Sequence, residues 1–122
     1  MSEKAEYSSF NGRKVLELRD KVLVLGQRAW EHLKPFGFTN WHETDGWIGC
    51  WMERKHGSVI DTFCIQLDRE DPIRFRVAVK TAPKSSTEDK SQSSFSRTFA
   101  SIQSLETDLP EMMKEVLVHV HQ

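Results

Sequence analysis

The stretch from Phe36 to Thr81 limits this chain most, because it alternates apolar and polar residues between closely spaced turn signals. Asp45-Gly46 lies between two aromatic-rich runs and is the strongest hairpin signal. His56-Gly57 is a second, and Asp68 to Pro72 form a longer polar turn. The spacing predicts strands over 38–44, 47–55, 58–67 and 73–80, joined as an antiparallel meander.

Turn length sets strand register, so the two faces of this sheet can be read from the sequence. Two-residue loops at Asp45-Gly46 and His56-Gly57 would place Trp41 opposite Cys50 and Cys50 opposite Phe63, and the polar turn would place Phe63 opposite Val77. One face then collects Trp41, Ile48, Cys50, Met52, Val59, Phe63, Ile65, Leu67, Ile73, Phe75, Val77 and Val79, interrupted only by Thr39 and Asp61. This is a core face. The other collects Phe38, Asn40, His42, Trp47, Trp51, Ile60, Thr62, Cys64, Gln66, Arg74, Arg76 and Lys80. It is too polar for a core and too aromatic for a purely solvated surface.

The core face needs a cover, and the preceding segment supplies one. Val15, Leu18, Val22, Leu25, Ala29 and Leu33 recur at helical spacing, with Leu16, Leu23 and Trp30 widening the stripe. A helix is expected from an Asn11 N-cap to about Lys34, ended by Pro35 and Gly37. Gly26 inside it marks either a bend or a close approach to the sheet. The stripe also fits a heptad pattern, so a homodimer through this first helix is a second expectation.

Beyond the meander, Pro83 to Ser94 is rich in Ser, Thr, Lys and acid with no apolar residue, and a flexible loop over 82–94 is expected. Phe95, Phe99, Ile102 and Leu105 recur at near-helical spacing and favour a short helix, with a fifth strand over 94–101 as the alternative. Asp108-Leu109-Pro110-Glu111 then reads as the start of a last helix, with Asp108 as its N-cap. The expected fold is α+β: a long N-terminal helix packed on a four-stranded antiparallel β-meander, followed by a polar loop and a C-terminal helical segment.

A length of 122 residues suits one domain. Seventeen basic against eighteen acidic residues give a net charge of −1, so bulk charge does not indicate a nucleic-acid binder. Residues 1–10 are polar and expected to fray, with no apolar run of the kind a secretory signal needs. The longest apolar run, Val22 to Leu25, is too short for a membrane span. Cys50 and Cys64 fall on opposite faces and are expected as free thiols of a cytoplasmic protein.

Catalytic chemistry finds little support. The serines cluster in the polar loop without a nucleophile elbow. No Cys-x-x-Cys or His-Glu-x-x-His spacing occurs, and His119 and His121 diverge on a helix, so no metal or cofactor is expected. An acid on one strand with acid-x-Lys on the next would suit a nuclease, but Ala78 stands where the second carboxylate is required. What remains is a surface: Trp47, Trp51, Gln66, Arg74, Arg76 and Lys80 on the second sheet face. Trp and Arg are enriched at protein hot spots, so the expected function is a non-enzymatic protein-interaction module of adaptor, chaperone or inhibitor type, acting through this face or the first helix. A single-stranded nucleic-acid binder is the alternative, since aromatic platforms beside cations suit stacked bases. An enzyme with a dispersed site around His42, Cys64 and Asp61 is the third. A bland reading stands beside all three, in which the last helix covers both tryptophans.

Overall fold

A computed structural model describes residues 12–44, 48–70, 72–83 and 92–120. Helix α1 spans Gly12–Leu33 and is followed by a 3₁₀ turn, Lys34–Phe36. Five strands follow: β1 Asn40–Glu43, β2 Gly49–His56, β3 Val59–Glu70, β4 Ile73–Pro83 and β5 Gln92–Phe99. Helix α2, Ile102–Val120, closes the chain. The strands form one antiparallel sheet in sequence order, β1-β2-β3-β4-β5. The fold is α+β as expected, with five strands rather than four.

The expected register is displaced by two at every hairpin, which leaves the faces intact because side chains alternate with period two. Trp41 faces Met52 rather than Cys50, since Glu43 pairs with Cys50 and the Thr44 N–H donates to the Gly49 carbonyl at 3.0 Å. The pairing thus ends at Thr44 and Gly49, and the expected Asp45-Gly46 loop lies outside the described residues. Cys50 faces Ile65 and His56 pairs with Val59, so the second turn is Gly57-Ser58. Gly57 takes the φ of +61° that its first position requires. Phe63 faces Val79, and a register shift between Leu67 and Arg69 shortens the third turn so that Glu70 pairs with Ile73.

The core face is buried as its composition demands. Ile48, Cys50, Met52, Phe63, Ile65, Leu67, Phe75, Val77 and Val79 are all inaccessible, with Trp41 and Ile73 packed against them. From α1, Val22, Leu25, Ala29 and Leu33 join the same cluster. The heptad-like stripe is thus directed into the chain's own core, while Leu16 (58 % exposed) and Val24 (51 % exposed) face outward. Gly26 is the close approach: a Cβ built there would lie within 3.0 Å of the Trp41 ring and clash with Cys50 Sγ. Phe38, expected on the second face, is fully buried instead. It precedes β1, so strand alternation does not govern it, and Trp30 Nε1 donates to its carbonyl at 2.6 Å.

Residues 92–99 are strand, correcting the expected short helix. Phe95, Arg97 and Phe99 alternate toward the helices while Ser96 and Thr98 are exposed on the other side. Period two and period 3.6 both fit Phe95 and Phe99, which are four apart, and the long partner β4 decides between them. The 82–94 loop is shorter than expected at both ends, since β4 runs to Pro83 and β5 begins at Gln92. Its centre, like residues 1–11 with the expected Asn11 cap, lies outside the described residues.

Asp108 does not cap α2. The helix begins six residues earlier, where the Ser104 N–H donates to Ser101 Oγ at 3.1 Å. Pro110 lies inside the helix on its exposed side, where water can serve the Glu106 carbonyl that loses its N–H partner. Leu105, Leu109, Met112, Met113, Val116 and Val120 enter the cluster that holds α1 and the core face. Both helices therefore share one side of the sheet, and α2 does not cover the Trp51 face.

One polar group is buried within this core. Arg54 and Asp61 are 8 % and 6 % exposed and face each other across the β2–β3 hairpin. Arg54 Nη2 donates to Asp61 Oδ2 at 2.5 Å, and Nε reaches the same oxygen at 3.2 Å. Thr81 Oγ1 donates to Asp61 Oδ1 at 2.7 Å. The Arg54 guanidinium also donates to the Phe36 carbonyl at 3.2 Å and to the Val120 carbonyl. One side chain thus joins the ends of both helical elements to three strands.

Removing one partner of a buried ion pair strands the other, at a cost of about 3–5 kcal/mol. Asp61→Asn is expected to destabilise the fold by about that amount in urea titration, and Arg54→Met with Asp61→Leu to cost less than the two single changes summed. A loss below about 1 kcal/mol for Asp61→Asn would refute the role assigned to the pair. Gly26→Ala gains about 1 kcal/mol of helix propensity but is expected to be net destabilising, because overpacking costs about 1–3 kcal/mol. Adding Cys50→Ala should recover part of that loss in the same titration, since it removes the Sγ that the new Cβ meets.

Candidate functional site

The second sheet face is assembled by register. One row crosses the sheet as His42, Trp51, Cys64, Ala78 and Ser96. On one side of it run Gly49, Gln66, Arg76 and Thr98, and on the other Asn40, Glu53, Thr62, Lys80 and Ser93. The small residues lie at the centre: Ala78 is 0 % and Cys64 9 % exposed, beneath half-buried Gln66, Arg76 and Lys80. No described element packs over this face.

Trp51 is half-buried and stacks on His42, with ring centroids 4.0 Å apart and planes inclined by 16°. The two are cross-strand neighbours, so each braces the other. The expected register set Trp51 opposite Asn40 and hid this contact, which is why His42 did not stand out with the tryptophans. Trp47 lies outside the described residues.

The cations are unevenly distributed. Arg76 Nε donates to Ser96 Oγ at 3.2 Å, which draws its guanidinium toward β5. Arg74 Nη1 donates to the Ile73 carbonyl at 2.8 Å. Arg69 pairs directly with Arg74 across the bulge, and like charges in that position repel. With Lys55 and Lys80, pairing and alternation place five cations on this face against the carboxylate of Glu53, with Asp68 at the bulge. A chain of net charge −1 therefore presents a locally basic surface, suited to an anionic partner.

The structure brings together Trp51, Gln66, Arg76 and Lys80, with Arg74 at the β3–β4 end. It separates the dispersed catalytic set. Trp51 stands between His42 and Cys64, so those two lie about two strand spacings, roughly 10 Å, apart. Asp61 is on the opposite face, bonded to Arg54 and Thr81. Among the described residues, no group of three His, Cys, Asp or Glu side chains is placed to hold a metal ion. Two adjoining depressions of about 310 and 290 Å³ lie on the helix side and share Lys21 and Ile102. Their polar linings come from Glu17, Asp20, Lys21, Ser101, Gln103 and Glu106, with the Ser101 hydroxyl engaged by Ser104 at the start of α2. No described helix is long and apolar enough to cross a membrane.

Both cysteines are free and lie on opposite faces, as expected. Burial pushes the Cys50 thiol up from 9.0 to about 12, with the neighbouring Cys64 and Glu43 adding to the rise. Burial also raises Cys64, while Lys80, Arg76 and a backbone hydrogen bond with Ala78 pull against it. Below pH 9 the thiols keep their protons both folded and unfolded, and stability is unaffected by them. Above it the unfolded Cys50 thiol ionises while the folded one does not, so its contribution is expected to fall from pH 9 to about 12. Alkylation by iodoacetamide across that range should modify Cys64 before Cys50. The reverse order would contradict the placement of Cys64 beside the cations.

Comparison with protein-family models, with curated proteins and with solved structures gives no significant match.

Proposed function

We propose that this chain is a non-enzymatic protein-interaction module, of adaptor, chaperone or inhibitor type, that takes a protein partner on its open sheet face. The observation that carries this reading is the placement of both helices on one side of the sheet. Trp51, Gln66, Arg74, Arg76 and Lys80 are left without a described cover. Trp and Arg concentrate binding energy at interfaces when they become desolvated. A braced Trp51 loses little rotamer freedom on binding, which favours such a role. The first helix is the weaker contact surface, because its main apolar stripe is directed inward.

The cations also support a second reading, single-stranded nucleic acid. Stacking binders use successive aromatic platforms. Trp51 with His42 is one such platform on the described face, so the protein reading is preferred.

Two measurements separate them. Trp51→Ala combined with Arg76→Glu is expected to abolish capture of the partner from a lysate of the native source while the circular dichroism spectrum stays unchanged. Unchanged capture would show that the partner binds elsewhere. A twelve-nucleotide single strand at low salt is expected to leave tryptophan fluorescence unquenched. Quenching that disappears as salt rises would favour the nucleic-acid reading instead.

A further inference from the structure

Among the described residues, the outer edge of β5 is the longer of the sheet's two edges. β5 is the last strand in the sheet order, and it runs for eight residues, Gln92–Phe99. The other edge strand, β1, has only four. Natural sheets blunt a long edge with proline, lysine, a bulge in the edge or a covering element. Gln92 to Phe99 contains no proline, lysine or glycine; a register shift between Val79 and Lys80 puts one extra residue, Ser94, into β5, so the regular stretch of the edge is Phe95–Phe99. Its charged residue, Arg97, is turned to the helix side, where it meets Asp108 and Glu115 of α2 at 3.6 Å each. Among the described residues nothing pairs with that edge, since α2 lies over the face of β5, with His119 against Phe95.

The surroundings of the edge select an occupant. On the open face β5 presents Ser96 and Thr98, both exposed. These short side chains leave the path to β4 unobstructed. Behind them stand Arg76, opposite Thr98 and already bonded to Ser96, and Lys80, opposite Ser93. An added strand would lie about 5 Å beyond β5. Glutamates on its open side would then be within joint reach of Arg76 and Lys80. An extended polypeptide matches the spacing of the alternating N–H and C=O groups along the edge, which a nucleic-acid strand does not. A second copy of this chain fits poorly. Its β5 would bring more serine and threonine to the open face and no carboxylate, and it would set the acidic flank of one α2, Asp108 and Glu115, toward that of the other.

From this edge and its charge we infer that the protein partner contributes an extended acidic segment, carboxylates alternating along one side, which adds to β5 as a sixth strand. The inference rests on the protein-binding reading and supplies the partner's chemistry. The segment's main chain gives affinity through the β5 edge, and its carboxylates give selectivity through Arg76 and Lys80.

The test uses the full chain and an acetylated, amidated octapeptide that alternates glutamate with valine, followed by titration calorimetry. Binding is expected, weakening about tenfold in the Arg76→Glu, Lys80→Glu variant and falling as salt rises. The same peptide N-methylated at alternate residues keeps its charge but loses its donors, and it is expected to bind at least about tenfold more weakly. Amide exchange along Gln92–Phe99 should slow when the unmodified peptide is present. Equal binding of the N-methylated peptide, equal binding of a lysine–valine octapeptide, or a free chain that sediments as a dimer with β5 amides already protected would each overturn the inference. No octapeptide binding together with lost lysate capture in the Trp51, Arg76 variant would remove the edge and keep the face. Retained capture in that variant would remove the face itself.

Discussion

The Arg54–Asp61 pair is the interaction on which the rest of the arrangement depends. It is buried in the β2–β3 hairpin, and its cost of desolvation is offset by the hydrogen bonds that both side chains make. The Asp61 carboxylate accepts from Arg54 and Thr81, which joins β2, β3 and β4. The remaining guanidinium donors go to carbonyls at the end of the 3₁₀ turn and at the end of α2. A cation is favourable at a helix C-terminus, where carbonyls lack intrahelical donors. Such a pair adds little net stability compared with an apolar replacement. Its effect is positional: it specifies that both helical elements end over the same corner of the same face.

That placement has an electrostatic consequence. With α1 and α2 together on the core side, the apolar residues of both helices and one sheet face meet in a single cluster. The other face is then left to its own composition, a Trp51–His42 stack and an excess of cations. The facing pair Arg69 and Arg74 is unfavourable within the isolated chain, and an anionic partner would relieve it. The exposure of this face follows from how the helices are distributed.

Much of this was legible in the residues. The core face was readable from Ile48 to Val79 although each hairpin register was displaced, because every displacement was by two and alternation repeats every two. The same tolerance did not extend to cross-strand partners. The His42–Trp51 stack and the Arg54–Asp61 pair each depend on one register alone. Asp61 stands out in the sequence as an intruder on the core face, and only the observed register sets Arg54 opposite it. β5 was misread because Phe95 and Phe99 suit either period, and only the long β4 beside it settles the matter. The start of α2 was misplaced because Asp108-Leu109-Pro110-Glu111 has the chemistry of a helix start while Ser101 holds the actual cap.

By itself, the sequence determined the α+β class, the long first helix, the meander, the identity of the two sheet faces and the separation of the cysteines. Each follows from local turn chemistry or from a period of hydrophobicity, which neighbours in the chain specify. Only the tertiary structure decided on which side of the sheet α2 lies, and so whether Trp51, Arg76 and Lys80 are core or surface. An amphipathic helix will bury its stripe against any apolar area within reach. The choice is made by long-range contacts: the shared cluster with α1, and the Arg54 bond to the Val120 carbonyl, sixty-six residues away in the chain.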